Sequence, residues 1–217
     1  MVERPEGAAR KLPAELSRLL HDLRGPLNSA VMHLEVLKRT VAEDPASADS
    51  LRTVLQQLVR LSEMLPAAFS VAALEAAPLA RVSLRTVTER ARQEPGLESA
   101  RLAGGPWPDV HGDEALLVLA VSQLLRNAVE ATAPGAAQPE VSAARTEQGV
   151  VLAVRDWGAG LPTANPKLLV RLLHSTKSGH RGVGLVTAER VARLHGATLG
   201  FEALPDGARV TLLFPPG

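Results

Sequence analysis

An unbroken heptad pattern of apolar residues restricts what the first third of this chain can fold into. Steps of four and three residues alternate without interruption, and each position is apolar: Leu16, Leu20, Leu23, Leu27, Ala30, Leu34, Leu37 and Val41. This spacing predicts an α-helix with a narrow apolar stripe at its a and d positions. Pro13 precedes the pattern, at a place where the start of a helix tolerates proline.

A second stripe follows a short connection at residues 42–45, where Asp44 is suited to cap a helix and Pro45 to enter its first turn. Its apolar positions are Leu51, Val54, Leu58, Leu61, Leu65, Ala68 and Ala72. Two helices of about 27 residues with narrow stripes cannot enclose a core by themselves. We therefore predict an antiparallel helical hairpin that forms a four-helix bundle as a homodimer. Packing of the hairpin on the rest of its own chain is the alternative.

The sequence pattern changes near residues 76–80. We predict three regions: an N-terminal tail (residues 1–12), the helical hairpin (residues 13–76) and a region of mixed strands and helices (residues 77–217). In the last region we predict helices at residues 85–94, 113–132 and 187–195, and strands at residues 81–84, 141–144, 150–155, 197–203 and 208–214. Several strands with segregated helices indicate an α+β two-layer sandwich.

Composition excludes several classes of protein. The 217 residues carry a net charge of +1, so the basic stripe of a nucleic-acid-binding protein is missing and we expect no nucleic-acid partner. Cysteine is absent, which excludes disulfides and thiolate metal sites. No apolar run approaches the ~20 residues that a membrane helix requires, and the first residues do not read as a signal peptide. We therefore expect a cytoplasmic protein with no membrane segment in this chain.

One histidine on the first predicted helix has neighbours suited to phosphoryl chemistry. His21 follows the stripe position Leu20, so we expect it at the edge of the stripe, where an imidazole nitrogen stays accessible. Asp22 could accept the proton that leaves the imidazole, and Arg24 could meet phosphate oxygens. Pro26 is expected to loosen the helix beside His21. A lone histidine would be read as an ordinary surface residue, but these neighbours and the motifs that follow favour a phosphoryl acceptor.

Two further motifs have the groups that a nucleotide with magnesium would need. Asn127 lies within the long predicted helix, and an amide oxygen suits Mg²⁺, which often bridges protein oxygens to phosphates. Asp156 ends a predicted strand and is followed by Gly158 and Gly160. A carboxylate in this place can accept a hydrogen bond from the exocyclic amine of adenine, and the glycines let the backbone pass close to the ring. Each motif alone would also suit a plain turn or a solvated helix face.

A glycine-rich segment precedes the helix that we predict to begin near residue 186 or 187. It contains Gly179, Gly182, Gly184 and Leu185. Glycines before a helix N-terminus expose backbone N–H groups, and the helix dipole favours an anion there. Lys177 lies just upstream and Arg181 lies within the segment, so both are candidates for phosphate contacts. We expect residues 161–178 to fold over the nucleotide as a lid.

Taken together, these residues resemble the two-component sensor histidine kinases, and the likeness covers nearly the whole chain. Residues 21–27 look like the H-box of that family, residues 123–128 the N-box, residues 156–160 the G1 box and residues 179–185 the G2 box. The resemblance implies a dimerisation and histidine-phosphotransfer hairpin followed by a catalytic ATP-binding domain of Bergerat type. It also implies an ATP-dependent histidine autokinase that uses Mg²⁺, phosphorylates His21 and transfers the phosphoryl group to the receiver domain of a response regulator.

The chain departs from the pattern of the family at three places. Gln123 stands where the family often has Asn; its amide can still reach Mg²⁺, with altered geometry. No phenylalanine lies between Gly160 and Gly179, so the F-box is absent and lid docking should be weaker. Gly25 stands where members that dephosphorylate their partner carry Thr or Asn, so we expect weak phosphatase activity.

Two alternatives to the kinase remain. The first is a degenerate kinase that acts as a dimeric scaffold or as a phosphotransfer module only. The second is an ATPase of the gyrase or Hsp90 type, which is disfavoured because those enzymes use Glu where this chain has Gln123.

Overall fold

The computed structural model describes residues 14–40, 45–161 and 183–216. These residues divide into two compact units, one that ends at Leu74 and one that begins at Glu75. The units are described separately below.

The first unit consists of two long helices that pack against each other. Helix α1 (Ala14–Thr40) has 27 residues and begins directly after Pro13, and helix α2 (Pro45–Ala72) has 28 residues and begins at a proline. Both lengths and both starting points agree with the sequence prediction. Helix α1 remains an α-helix through Pro26. None of the described helices is long and apolar enough to cross a membrane.

Burial along the two helices agrees with the predicted stripes only in part. On α1, Leu20 is buried and the next stripe positions are half-buried, but Leu37 is 49% exposed. On α2, the predicted positions Val54 and Leu61 are 46% and 38% exposed. The most buried side chains of α2 are others, namely Leu55, Met64 and Val71. Helix α2 is therefore apolar over a wider face than a strict a/d stripe, because residues adjacent to the stripe are apolar as well.

The second unit contains two sheets and three helices among the described residues. Its elements are β1 (Ala80–Ser83), α3 (Leu84–Ala91), β2 (Arg101–Leu102), β3 (Asp109–Gly112), α4 (Glu114–Ala131), β4 (Glu140–Thr146), β5 (Gly149–Arg155), α5 (Gly184–Leu194), β6 (Thr198–Leu204) and β7 (Gly207–Phe214). The larger sheet has the order β2-β4-β5-β7-β6, with β2 parallel to β4 and the other pairs antiparallel. Strands β1 and β3 form a separate antiparallel pair, which the sequence did not predict.

The core of this unit lies between the helices and one face of the larger sheet. Val150, Leu152 and Val154 alternate along β5 and are at most 4% exposed, whereas the residues between them are only half-buried. Helix α4 packs on β5, α5 packs on β6, and the two helices pack on each other. Apolar side chains of α4, such as Leu124 and Leu125, are almost fully buried. The predicted α+β arrangement of two layers is therefore present.

A buried histidine joins the C-terminus of α5 to the N-terminus of α4. His195 Nδ1 lies 2.7 Å from the carbonyl oxygen of Val191, and His195 Nε2 accepts the N–H of Asp113 at 2.9 Å. Asp113 in turn caps α4, because its Oδ1 accepts the N–H of Leu116. Its other carboxylate oxygen accepts the N–H of Ala77 at 2.8 Å. This network fixes the N-terminus of α4 and the C-terminus of α5. The motifs described next lie toward the opposite ends of these two helices.

Candidate functional site

His21 lies on α1 with its side chain exposed to solvent. It directly follows Leu20, which is 9% exposed, so the imidazole stands at the edge of the apolar face, as the heptad pattern predicted. Arg24 is exposed on the same helix. Asp22 belongs to α1, but its side chain lies outside the described residues. A helix of 27 residues gives His21 a rigid support that leaves its ring accessible.

The second unit brings two sequence motifs together where α5 begins beside α4. Gln123 and Asn127 are one helical turn apart on α4 and therefore share a face. A Cβ atom placed on Gly184, the first residue of α5, would lie 3.0 Å from Gln123 Oε1 and 3.6 Å from Asn127 Nδ2. Both amides therefore lie against the start of α5, although Gly184 follows them by about 60 residues in the sequence.

The amide of Asn127 has an unsatisfied polar atom. Its Nδ2 is buried and has no hydrogen-bond partner among the described residues. A buried polar group without a partner needs an explanation, and an ion or a ligand that the protein normally binds is one such explanation. The oxygen and nitrogen of an amide exchange places by rotation of the group, so Asn127 can present either of them. The amides of Gln123 and Asn127, which lie beside the start of α5, therefore fit an oxygen-coordinated Mg²⁺.

Asp156 follows the last residue of β5 and is 8% exposed. Its Oδ1 accepts two backbone N–H groups, from Gly158 at 2.9 Å and from Ala208 at 3.2 Å. Its own N–H donates to the carbonyl oxygen of Ala208 at 3.0 Å. The carboxylate is thus oriented from two sides through one oxygen, and no described residue donates a hydrogen bond to its Oδ2.

The two glycines after Asp156 have roles within the protein itself. A Cβ atom on Gly158 would overlap the carbonyl oxygen of Ala131, the last residue of α4, and Gly158 forms an isolated β-bridge with Thr132. Gly160 has a φ of +82°, which favours glycine. The turn after Asp156 therefore lies against the C-terminal end of α4, one helical turn beyond Asn127. The close backbone approach that the structure shows at Gly158 is to α4, and the predicted approach to an adenine ring stays a prediction.

Helix α5 begins at Gly184, earlier than the predicted start near residue 186 or 187. Gly184 and Leu185 consequently lie in its first turn and not in a preceding loop. The N-cap position is Val183, whose side chain makes no capping hydrogen bond. The helix start thus lacks the side-chain acceptor that usually satisfies first-turn N–H groups, and such groups are suited to an anion.

Part of the predicted site lies outside the described residues. Residues 162–182 include nearly all of the predicted lid, together with Lys177, Gly179, Arg181 and Gly182. Within the described ranges, no cluster of three or more His, Asp or Glu side chains could hold a metal ion.

Sequence reasoning missed the β6–β7 turn as part of the site. The turn was predicted only as a hairpin connection, yet Gly207 has a φ of +137° and a Cβ atom there would overlap the carbonyl oxygen of Asp156. Arg155 Nη2 donates to Asp206 Oδ1 at 2.7 Å. The glycine after Asp206 is a local signal for a turn. Its contact with residues about 50 positions earlier depends on the pairing of β5 with β7.

This mixed sheet with helices on one face is the α+β fold of Bergerat-type ATPases. Residues 112–217 match the family model of histidine kinase-, DNA gyrase B-, and HSP90-like ATPases. Curated relatives that match across both units include proteins named sensor-type histidine kinase and adaptive-response sensory kinase. The sensor-type histidine kinase PrrB of Mycobacterium tuberculosis is 30% identical over 207 residues, which cover 90% of this chain and 46% of the relative. The chain thus spans about half the length of the curated relatives that it matches.

Solved structures agree with this assignment. The crystal structure of the ATP-binding domain of PrrB from Mycobacterium tuberculosis is 27% identical, with a TM-score of 0.52, over 65% of this chain and 99% of that domain. Full-length ShkA in complex with AMPPNP has a TM-score of 0.59 over 95% of this chain and 47% of its own; at 21% identity it is a likeness of fold alone. The resemblance to sensor histidine kinases drawn from the four sequence motifs is confirmed.

Proposed function

We propose that this chain is the kinase core of a two-component phosphorelay. It would use ATP to phosphorylate His21 and then pass the phosphoryl group to an aspartate of a response-regulator receiver domain. The observation that carries the proposal is the meeting of Gln123 and Asn127 with the start of α5 in a Bergerat-type domain, on a chain that also exposes His21 on a helix. Residues 13–76 would serve dimerisation and phosphotransfer, and residues 77–217 would bind ATP.

Asp156 is proposed to read the adenine base. Its Oδ1 is occupied by two backbone N–H groups, so its Oδ2 is the oxygen available to the exocyclic amine. The uncapped start of α5, with Gly184 and Leu185, would face the phosphates. Lys177, Arg181 and the glycines of residues 179–182 would complete the phosphate contacts.

Asn127 and Gln123 are proposed to hold Mg²⁺ against the phosphates. The unsatisfied buried amide of Asn127 and the closeness of both side chains to Gly184 support this assignment. The ion would neutralise charge on the transferred phosphoryl group. The task left to the protein is to hold ATP and the imidazole in line, since phosphoryl transfer depends mostly on positioning and charge stabilisation.

In the proposed reaction, a nitrogen of His21 attacks the γ-phosphorus and the bond to the β–γ bridging oxygen breaks, which releases ADP. The attacking nitrogen is the unprotonated one; the proton on the other ring nitrogen would pass to Asp22, and Arg24 would contact the transferred phosphoryl oxygens. The carboxylate of the receiver then attacks the phosphorus and the P–N bond breaks. The exposure of the His21 ring supports access by both partners. Because the proposed reaction uses ATP, we propose that it takes place in the cytoplasm.

A homodimer is part of the proposal, because apolar side chains of the hairpin are exposed. Leu37, Val54 and Leu61 occupy predicted stripe positions and are 49%, 46% and 38% exposed. A two-helix unit leaves such residues in water, and a twofold four-helix bundle would bury them. Their exposure supports the dimer over a hairpin that satisfies its own stripes.

The test is incubation of the protein with γ-labelled ATP and Mg²⁺. We expect a label that is labile in acid and stable in base, and that is absent from His21→Ala. His33→Ala is the matched control, because His33 is also exposed on α1 and should leave labelling unchanged. Labelling that persists in His21→Ala would refute the assignment of the acceptor. Binding of ATP without any label would favour the degenerate scaffold or phosphotransfer module.

A further inference from the structure

The residues at and directly after the end of β5 are held by three consecutive residues at the β6–β7 turn and the start of β7. Arg155 Nη2 donates to Asp206 Oδ1 at 2.7 Å. The Asp156 N–H donates to the carbonyl oxygen of Ala208, and the Ala208 N–H donates to the Asp156 carboxylate. Gly207 lies so close to Asp156 that a side chain would overlap its carbonyl oxygen. The turn and the proposed adenine-reading residue therefore move as one piece.

The guanidinium of Arg155 has a second partner on the other side of Asp156. Its central carbon lies 4.7 Å from the centre of the Trp157 ring, which is cation–π distance. The ion pair with Asp206 and the contact with Trp157 thus hold the guanidinium from two directions. The Arg155 side chain, which is 30% exposed, therefore bridges Asp206 in the turn and Trp157, the residue after Asp156.

We propose that Arg155 and Asp206, with Trp157, form a latch that positions the carboxylate of Asp156 for adenine. The latch keeps the turn against β5, so that the Ala208 N–H remains on Oδ1 and the carboxylate cannot rotate freely. Release of the latch would let the carboxylate rotate out of the orientation set by the Gly158 and Ala208 N–H groups, which would weaken the acceptor that it offers to the base. Arg155 and Asp206 are positioning residues in this scheme, which rests on the proposed role of Asp156 in ATP binding.

A positioning role predicts a change in selectivity, whereas general loosening of the turn would weaken all nucleotides alike. The informative comparison is ATP against purine riboside triphosphate, which lacks the exocyclic amine and is otherwise the same ligand. An exposed ion pair or cation–π contact is worth little, so the expected loss of preference for ATP is about two- to fivefold.

The experiment measures Kd for both nucleotides with Mg²⁺ on the full chain and on Asp206→Asn. The control is Glu202→Gln, which breaks the Arg209–Glu202 pair of the same hairpin, 2.8 Å long and similarly exposed, with the same change of charge. Asp206→Asn should lower the preference for ATP, and Glu202→Gln should not. Asp206→Glu, which keeps the charge, should largely retain the preference for ATP. Equal effects of Asp206→Asn on both nucleotides, or no difference from Glu202→Gln, would overturn the latch.

Fluorescence gives a second measurement that does not require nucleotide. The chain has two tryptophans, so Trp107→Phe leaves Trp157 as the sole emitter. In that background, Asp206→Asn should increase quenching of Trp157 by acrylamide, and Glu202→Gln should not; unchanged quenching would overturn the latch. If the unaltered protein binds both nucleotides equally, the proposed role of Asp156 fails and the latch fails with it. If it prefers ATP but Asp206→Asn changes nothing, only the latch fails.

Discussion

Substitution of Gly184 by alanine should separate the stability of the ATP-binding unit from its affinity for Mg²⁺ and ATP. Gly184 is the first residue of α5 and has no positive φ, so alanine fits its backbone. The new methyl group would lie 3.0 Å from Gln123 Oε1 and at ordinary contact distance from Asn127. Only the flexible end of Gln123 must therefore move, by a few tenths of an ångström.

The two expected effects have opposite signs. Alanine lowers the conformational entropy of the unfolded chain and favours helix, so the free energy of unfolding should stay the same or rise by at most about 1 kcal/mol. Mg²⁺ tolerates little distortion of its ligands. Loss of a group that orients a metal ligand typically costs about 10- to 100-fold in metal affinity, so this smaller displacement should weaken Mg²⁺-dependent ATP binding by about three- to tenfold.

The assay is calorimetric titration of ATP with and without Mg²⁺, beside thermal unfolding. Gly25→Ala is the control: Gly25 lies within α1, a Cβ atom there meets nothing within 4 Å, and its substitution should raise stability without affecting ATP. Gln123→Asn shortens the displaced side chain, so Gly184→Ala should cost little more in that background. Additive losses in the double variant, or unchanged Mg²⁺ dependence in Gly184→Ala, would refute the contact as the cause.

Two further predictions concern packing away from the nucleotide. His195→Ala should destabilise the protein by about 1–3 kcal/mol in urea unfolding, because the buried N–H of Asp113 loses its acceptor; a loss under about 0.5 kcal/mol would contradict this. Leu61→Lys should convert the proposed dimer to a monomer in sedimentation velocity, whereas Val59→Lys, also exposed on α2 but outside the predicted stripe, should not. A Leu61→Lys protein that remains dimeric would argue against the stripe as the interface.

The sequence predicted elements whose signals are local. The stripe from Leu16 and the proline at residue 45 were enough to set the length and start of both long helices. The helix predicted from residue 113 starts one residue before α4, at Asp113, whose side chain caps the helix in the structure. Helix α5 began earlier than predicted, since Val183 gives no capping signal that could be read. Strand β2 has only two residues, too few to show a period of two.

The non-local part of the candidate site could not be predicted in the same way. Asn127 and Asp156 were found because each stands in a short motif. The contacts beside these motifs are between Gly184 and Gln123 and between Asp206 and Arg155. These contacts depend on how helices and strands pair across 50 or more residues. That pairing is set by register and core packing, which single residues do not encode. The roles of His21, Asn127 and Asp156 in catalysis and binding stay predictions.

The hydrogen bonds of His195 anchor one end of the pair of helices α4 and α5, whereas no side-chain cap holds the start of α5. The C-terminus of α5 is tied to the cap of α4, while its N-terminus starts at Gly184 with no side-chain cap. A rotation of α5 about His195 would therefore move the start of the helix further than its end, because displacement increases with distance from the anchored end. Small rotations at the anchored end would become their largest displacements beside Gln123 and Asn127.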